Sequence, residues 1–351
     1  MAKFTCPFCL DKYNFKKIMY VCPDCKKEAV PKIFERRPIK CRVQSCGGLA
    51  TVRVCPICKE AIPNTVLESP HLPLSIIGPL DSGKTTYITT LLQELRNSTS
   101  MRLAVSAATR ETLQHQKTNL ELLWGDDVPA FAPKSMISQV WAVKNLAKTR
   151  SNSVPTFRFT ICDYAFEDCE PGNKTLLRYV RDSEFIILTV DALTLKGVRE
   201  RINLERKNPE KDAVETVSDI TAYLRSVSGI RPEKPLPVSV AVVLTKFDTL
   251  LMHEGFTFSS LMKKSAPSIS NHKADIAEMD QVSREICNWL KGIDEAEIVD
   301  TVETNFRDFK FFAVSSLGSK PVEAAAAIQA VQPHRVLDPM LWLLKLKKVV
   351  E

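Results

Sequence analysis

Residues 78–85 read GPLDSGKT, the G-x-x-x-x-G-K-[ST] spacing of a phosphate-binding loop. Gly78 and Gly83 let the backbone curl so that the N–H groups of Leu80, Asp81, Ser82 and Gly83 point inward at phosphate oxygens. Lys84 would reach the β- and γ-phosphates, and the Thr85 hydroxyl would complete a Mg²⁺ shell, with Thr86 beside it. A second segment, TKFD at 245–248, could hold a base. Asp248 can accept two hydrogen bonds from guanine, from N1–H and from the exocyclic amine. Adenine offers no such pair, so the wrong base would leave a buried carboxylate unpaired. Thr245 opens this segment, and the Lys246 stem would lie over the purine face.

A third constellation is made of sulfur. Cys6-x-x-Cys9, Cys22-x-x-Cys25, Cys41-x4-Cys46 and Cys55-x-x-Cys58 are four pairs at knuckle spacing. Two thiolates a few residues apart bind one tetrahedral ion, so eight ligands suffice for two Cys₄ zinc sites. Sequential pairing is the simplest arrangement, giving tandem zinc ribbons. A cross-brace of first with third and second with fourth pair stays open, as does an iron–sulfur cluster, which also takes four cysteines. A disulfide framework is disfavoured, because no apolar signal segment follows Met1 and the chain reads as cytoplasmic. The aromatic and aliphatic residues between the knuckles (Phe4, Phe8, Tyr13, Phe15, Ile18, Tyr20) are too few to fold unaided, so metal would supply folding energy. Cys162 and Cys287 read as core residues.

The elements that must position these groups follow from apolar patterning. Leu74–Ile77 predicts a buried strand before the phosphate loop, and Ile88, Leu91, Leu92 and Leu95 predict one face of a helix after it. That helix would add its dipole to the anion site. Val238–Leu244 predicts a central strand ending at TKFD. Phe157–Cys162 predicts a strand ending in Asp163, Phe185–Val190 one ending in Asp191, and Phe311–Val314 one leading into Ser315-Ser316-Leu317. A strand at 101–107 and helices at 110–124, 134–149, 214–228 and 275–291 complete the reading, with Trp124-Gly125 and Asp126–Pro133 as a loop and Gly229 as a C-cap. Around Arg199–Lys211 a charged run broken by Pro209 predicts a solvated face. A last helix starts with Asp338 as N-cap and Pro339 in the first turn. The fold class is α/β, a doubly wound, mostly parallel sheet, preceded by a small cysteine-rich module. Pro63, Pro70 and Pro73 mark a boundary around 64–72, so the domains are 1–70 and 71–351, with a helical insertion at about 109–150.

From about Pro73 onward the chain resembles a TRAFAC-class P-loop GTPase domain, through GPLDSGKT, TKFD and the strand ends at Asp163 and Asp191. The resemblance implies GTP and GDP as ligands, Mg²⁺ held by Thr85 and Asp163, and Ser315 and Ser316 touching the guanine oxygen through backbone N–H groups. It also exposes departures. The family's glycine after the metal aspartate is replaced by Phe166, and the neighbouring water-orienting glutamine by Glu167. Glu167 could polarise a water only if its charge is tolerated beside the triphosphate, so Lys84, Thr85, Asp163 and Glu167 predict slow hydrolysis. Thr109, Thr112 and Thr118 lie in the first switch interval without a distinguishing context. Asp81 sits where potassium-activated members carry asparagine. The knuckle N-terminus, the long switch interval and the Pro339-Met340-Leu341-Trp342 ending resemble the bacterial double-GTPase type of conflict and defence systems. That implies protein partners, namely other GTPases or GTPase-associated proteins.

Charge is uneven. Residues 1–70 hold 13 Lys+Arg and 6 Asp+Glu, while the rest of the chain is balanced, so the formal +7 sits in the cysteine module. A basic zinc module invites nucleic acid, but each Cys₄–Zn²⁺ centre carries a formal −2, which would cut the module's net to about +3. Protein docking is the favoured reading of the module. No apolar stretch approaches the ~18 residues of a membrane span. At 351 residues the chain can bury a sizeable core beside the small module.

Overall fold

The computed structural model describes residues 3–32, 35, 39–63, 71–123, 137–146, 156–164, 166–168, 174–202, 212–318 and 332–350. Its larger part is a seven-stranded sheet. In chain order the strands are β1 (His71–Ile77), β2 (Leu103–Ala107), β3 (Ile137–Asn145), β4 (Thr156–Asp163), β5 (Phe185–Asp191), β6 (Leu236–Thr245) and β7 (Phe306–Ala313). Their spatial order is β7-β6-β5-β1-β4-β3-β2. The five strands from β7 to β4 run parallel, and β3 is antiparallel to both β4 and β2. β5 is buried along its whole length, as expected of a strand covered on both faces.

The helices α1 (Lys84–Asn97), α2 (Arg110–Leu123), α3 (Lys174–Asp182), α4 (Ala213–Ser228), α5 (Ile276–Gly292), α6 (Ala296–Asn305) and α7 (Asp338–Leu346) surround it. Alternation along the strands divides the interior into two cores. On one face Ile186, Leu188, Val240 and Val242 pack with α4, α5 and α6. On the other, Ile76, Ile187, Ala241 and Val243 pack with Ile88, Leu91, Leu92 and Leu95 of α1 and with α7. The sheet is therefore doubly wound. Gly229 caps α4 at φ 65°, in the left-handed region that glycine enters freely.

Two expectations fail here. The segment at 134–149, read as helical, contains β3 instead. Trp141 and Val143 enter the core shared with α1, while Val140 faces the opposite way into the cysteine module. With both faces covered, Val140–Val143 forms an apolar run without visible alternation, and such a run is ambiguous between helix and strand. Asp338 is the first residue of α7 rather than its N-cap. Its carboxylate accepts instead from the backbone N–H and hydroxyl of Ser268, at 2.7 and 2.8 Å, and from Arg335. The loop at 124–133, Cys169, most of the charged run to Lys211, and most of the 64–72 boundary lie outside the described residues.

The N-terminal module is made of short antiparallel pairs. Lys3–Thr5 pairs with Lys12–Asn14, and Ile39–Lys40 with Leu49–Ala50. Met19–Val21 lies between Glu28–Ala29 and Val52–Val54. The module packs on the larger fold rather than standing apart. Leu10, at φ 55°, is buried in the core that contains Cys162, Tyr164 and Tyr179. The Tyr179 hydroxyl on α3 donates to the Pro7 carbonyl at 2.7 Å, and Arg178 pairs with Asp11. Over β3 and β4 the module thus occupies a place that helices occupy elsewhere on that face.

Candidate nucleotide site and metal centres

The phosphate loop leaves the carboxyl end of β1, which lies between β4 and β5, where strand order reverses. Such a switch point opens a crevice at the strand ends. Gly78 is required by space: a Cβ there would sit 2.1 Å from Thr189 Oγ1 and 2.6 Å from the Thr189 carbonyl oxygen. Gly83 turns the chain into α1 at φ 77°. Asp81 also adopts a positive φ of 58°. Lys84 is buried and donates to the Gly78 carbonyl at 2.8 Å, to the Pro79 carbonyl and, at 3.4 Å, to the Ser82 hydroxyl. The Ser82 hydroxyl lies 2.9 Å from that of Thr189. Thr86 follows Thr85 in the first turn of α1.

Thr85 Oγ1 donates to Asp163 Oδ2 at 2.9 Å, so the two oxygens that a Mg²⁺ would need are adjacent. Enclosure raises the Asp163 pKa; the Thr85 hydroxyl and the Lys84 and His115 charges oppose that shift. A hard divalent cation, which prefers oxygen ligands, fits this donor pair and would offset the cost of the charged carboxylate. Of Thr109, Thr112 and Thr118, the first two are tied into the fold by their hydroxyls. The Thr109 hydroxyl accepts from Thr112 N–H, and that of Thr112 accepts from Val140 N–H, each at 3.0 Å. These bonds fix the start of α2 against β3.

The TKFD segment meets this loop directly. The Thr245 hydroxyl donates to the Ser82 carbonyl at 2.7 Å. Lys246, at φ 56°, bridges the Asp81 carbonyl at 2.8 Å and Asp191 Oδ2 at 2.6 Å. Asp191 is itself buried and held by Leu193 N–H. The Lys246 stem is therefore pinned across the loop at a fixed height, a role for Asp191 that its position at a strand end did not by itself disclose. Asp248 begins the short helix Asp248–Leu251 and is 8% exposed. Phe247 between them points away into a cluster with Phe258 and Trp289, which anchors the turn. Val314 bonds through its N–H to the Leu244 carbonyl and through its carbonyl to Phe247 N–H. This places Ser315 and Ser316 beside the TKFD segment. Ser315 is buried and bridged in both directions to His334, so the chain returning from 332 braces that loop.

After Asp163 the chain turns back onto the phosphate loop. Phe166 N–H donates to the Gly78 carbonyl at 3.0 Å, and the Phe166 ring packs edge-on against Tyr223. Both Glu167 carboxylate oxygens lie 3.1 Å from Leu80 N.

The eight knuckle cysteines form two clusters, Cys6/Cys9/Cys55/Cys58 and Cys22/Cys25/Cys41/Cys46, with sulfurs within 4.8 Å of one another. The pairing is nested, first with fourth and second with third, in place of the sequential order. The strand pairing imposes it: Val52–Val54 lies against Met19–Val21 and carries the last knuckle back to the first. The Sγ–Sγ edges are 3.8 Å for Cys6–Cys58 and Cys9–Cys55, 3.7 Å for Cys22–Cys46 and 3.4 Å for Cys25–Cys41. A tetrahedron of ~2.3 Å Zn–S bonds has edges of about 3.8 Å, so both clusters fit zinc. Backbone N–H groups of Phe8, Val43 and Ile57 point at Cys6, Cys41 and Cys55 at 3.4 Å, the support a thiolate needs. Hydrogen bonds from Cys58, Cys6 and Cys9 pull the Cys55 thiol well below its ordinary pKa.

No protein-family model matches the chain. It is 22% identical over 318 residues to SaeC of Mycolicibacterium smegmatis, a candidate ESX-1 scaffolding and assembly protein, across 83% of this chain and 79% of that one. Among solved structures it is similar to sup35 complexed with GDP, at 12% identity and a TM-score of 0.27, covering 76% of this chain and 43% of that one. It is also similar to the Arl6 BBS3 small GTPase from Trypanosoma brucei with bound GppNp, at 14% identity and a TM-score of 0.34, covering 80% and 99%. Strand order and loop geometry establish the architecture on their own: a doubly wound α/β fold with a G-x-x-x-x-G-K-T loop at its switch point, preceded by a module with two four-cysteine clusters.

Proposed function

We propose that this protein is a GTP-binding switch with slow, partner-stimulated hydrolysis. One observation carries the reading: Lys246 spans the phosphate loop and Asp191, with Asp248 two residues on, so base and phosphate segments form one continuous surface. Gly78, Leu80–Thr86 and Thr245 would line the phosphates, Lys246 and Asp248 the base, and Ser315 and Ser316 its oxygen edge. Mg²⁺ at Thr85 and Asp163 would neutralise phosphate charge. Lys84 would do the same from the loop side. The two zinc ions would be structural, since each has four protein ligands and no open position.

The zinc module would serve protein partners. The name of SaeC, a candidate scaffolding and assembly protein, supports partners of that class. The resemblance of the organisation to the double-GTPase type supports a place beside other GTPases in a bacterial conflict or defence system. A second reading, a non-catalytic GTP-binding adaptor, is favoured by Glu167. Its carboxylate is bonded to Leu80 N–H instead of being free to orient a water.

Calorimetric competition of GTP against ATP on zinc-loaded protein with Mg²⁺ tests the site. A clear GTP preference is expected. Lys84→Ala should abolish binding, and Asp248→Asn should shift preference toward xanthine. ATP preference, or an Asp248→Asn variant that keeps guanine preference, removes the base assignment. Multi-turnover kinetics with a partner present then separates switch from adaptor.

A further inference from the structure

The phosphate loop offers backbone N–H groups as its anion donors, and one of them, at Leu80, already faces an anion of this chain. Both oxygens of Glu167 are 3.1 Å from that nitrogen. The contact is not an isolated rotamer. One residue earlier, Phe166 N–H is bonded to the Gly78 carbonyl, so the segment after Asp163 is closed onto the loop by its backbone as well. The Phe166 ring is held by Tyr223, with centroids 5.8 Å apart, which fixes the direction from which Glu167 approaches. The segment starts at Asp163, the partner of Thr85, and so lies on the metal side of the phosphate site.

We propose that Glu167 is a specificity-determining residue that favours nucleoside diphosphate over triphosphate by holding a carboxylate on a phosphate-loop amide. This rests on the nucleotide-site reading above. A diphosphate can occupy the deeper part of the loop, near Lys84, while Glu167 keeps its bond to Leu80. A terminal phosphate extending toward the Asp163 segment brings further negative charge against the carboxylate and competes for the same donor. Binding a triphosphate therefore requires Glu167 to leave and the Phe166–Gly78 bond to loosen. The ligand's third phosphate is thereby coupled to the position of Phe166 and Glu167. Glu167 is exposed, so solvent screens the effect. Its size should be that of one net hydrogen bond, about fivefold in relative affinity.

The test is equilibrium binding of GDP and of a non-hydrolysable GTP analogue to the full, zinc-loaded chain, wild type against Glu167→Ala and Glu167→Gln. The wild type should prefer GDP. Both variants should shift the ratio toward the triphosphate analogue by about fivefold, Ala at least as far as Gln, because Gln keeps an acceptor for Leu80 without the charge. A ratio that stays constant in both variants, with folding verified by circular dichroism, overturns the inference. A wild-type protein that binds neither nucleotide would instead overturn the site assignment beneath it. A smaller shift in Gln than in Ala assigns part of the effect to the hydrogen bond, and equal shifts assign it to charge; either result supports the proposal.

Discussion

Tyr179→Phe isolates the joint between the cysteine module and the α/β fold. Tyr179 is fully buried on α3, and its hydroxyl gives the Pro7 carbonyl, inside the first knuckle, a 2.7 Å hydrogen bond. Burial pushes the hydroxyl pKa well above its ordinary value, so it stays a donor at every working pH. Phenylalanine keeps the ring and its packing but takes the donor from a buried carbonyl, at a cost of about 1–3 kcal/mol. The Arg178–Asp11 ion pair beside it is partly exposed and should contribute less than about 1 kcal/mol. Leu10→Ala, which opens a cavity in the same joint, should cost about 2–5 kcal/mol. The assay is zinc release to a chromogenic chelator, read with urea unfolding followed by circular dichroism. In Tyr179→Phe the ion held by Cys6, Cys9, Cys55 and Cys58 should leave faster, while that held by Cys22, Cys25, Cys41 and Cys46 keeps its rate. Nucleotide affinity should weaken as the first ion leaves, because α3 follows the Asp163 segment. Unchanged release of both ions, with stability within about 0.5 kcal/mol of wild type, would refute the joint.

Gly48→Ala should lower zinc content from two ions toward one, measured by elemental analysis, because a Cβ there would sit 3.2 and 3.3 Å from the Cys22 and Cys46 sulfurs and 2.3 Å from Asp24. Gly47→Ala, where nothing lies within 4 Å but φ is +60°, should cost about 1 kcal/mol of strain and keep both ions. Acid sensitivity should trace in part to His334, which braces Ser315. Burial, reinforced by the Arg335 charge, lowers its pKa from 6.5 to about 4. Between those values the unfolded chain binds a proton that the folded chain refuses. Stability therefore falls as pH drops through that window, by on the order of 3 kcal/mol in all. A His334→Gln variant should flatten the slope of urea midpoint against pH, and an unaltered slope would remove His334 from the account.

The groups that could do chemistry are legible wherever their spacing is local in the chain. The phosphate loop is eight consecutive residues, a cysteine knuckle spans four to six, and Lys246 and Asp248 are two apart, so their identity is local. The strands feeding them were legible because β5 and β6 carry the apolar runs Phe185–Leu188 and Val240–Leu244 and α1 has a clear stripe. What depends on distant partners emerged only from the folded chain. Nested cysteine pairing follows from Val52–Val54 returning to Met19–Val21, which no spacing encodes. β3 read as helix because its second face is covered by a separate module, which erased the alternation. Asp338 reads as a cap in sequence, yet its carboxylate serves Arg335 and Ser268, groups set by the packing of α7. Glu167 read as a residue that could polarise a water if its charge were tolerated, and nothing in that reading pointed to Leu80, 87 positions away, as the group its carboxylate faces. A motif fixes which groups are present, because neighbours in the chain are neighbours in space. Which group each one faces is decided when burial and hydrogen-bond satisfaction are settled over the whole fold.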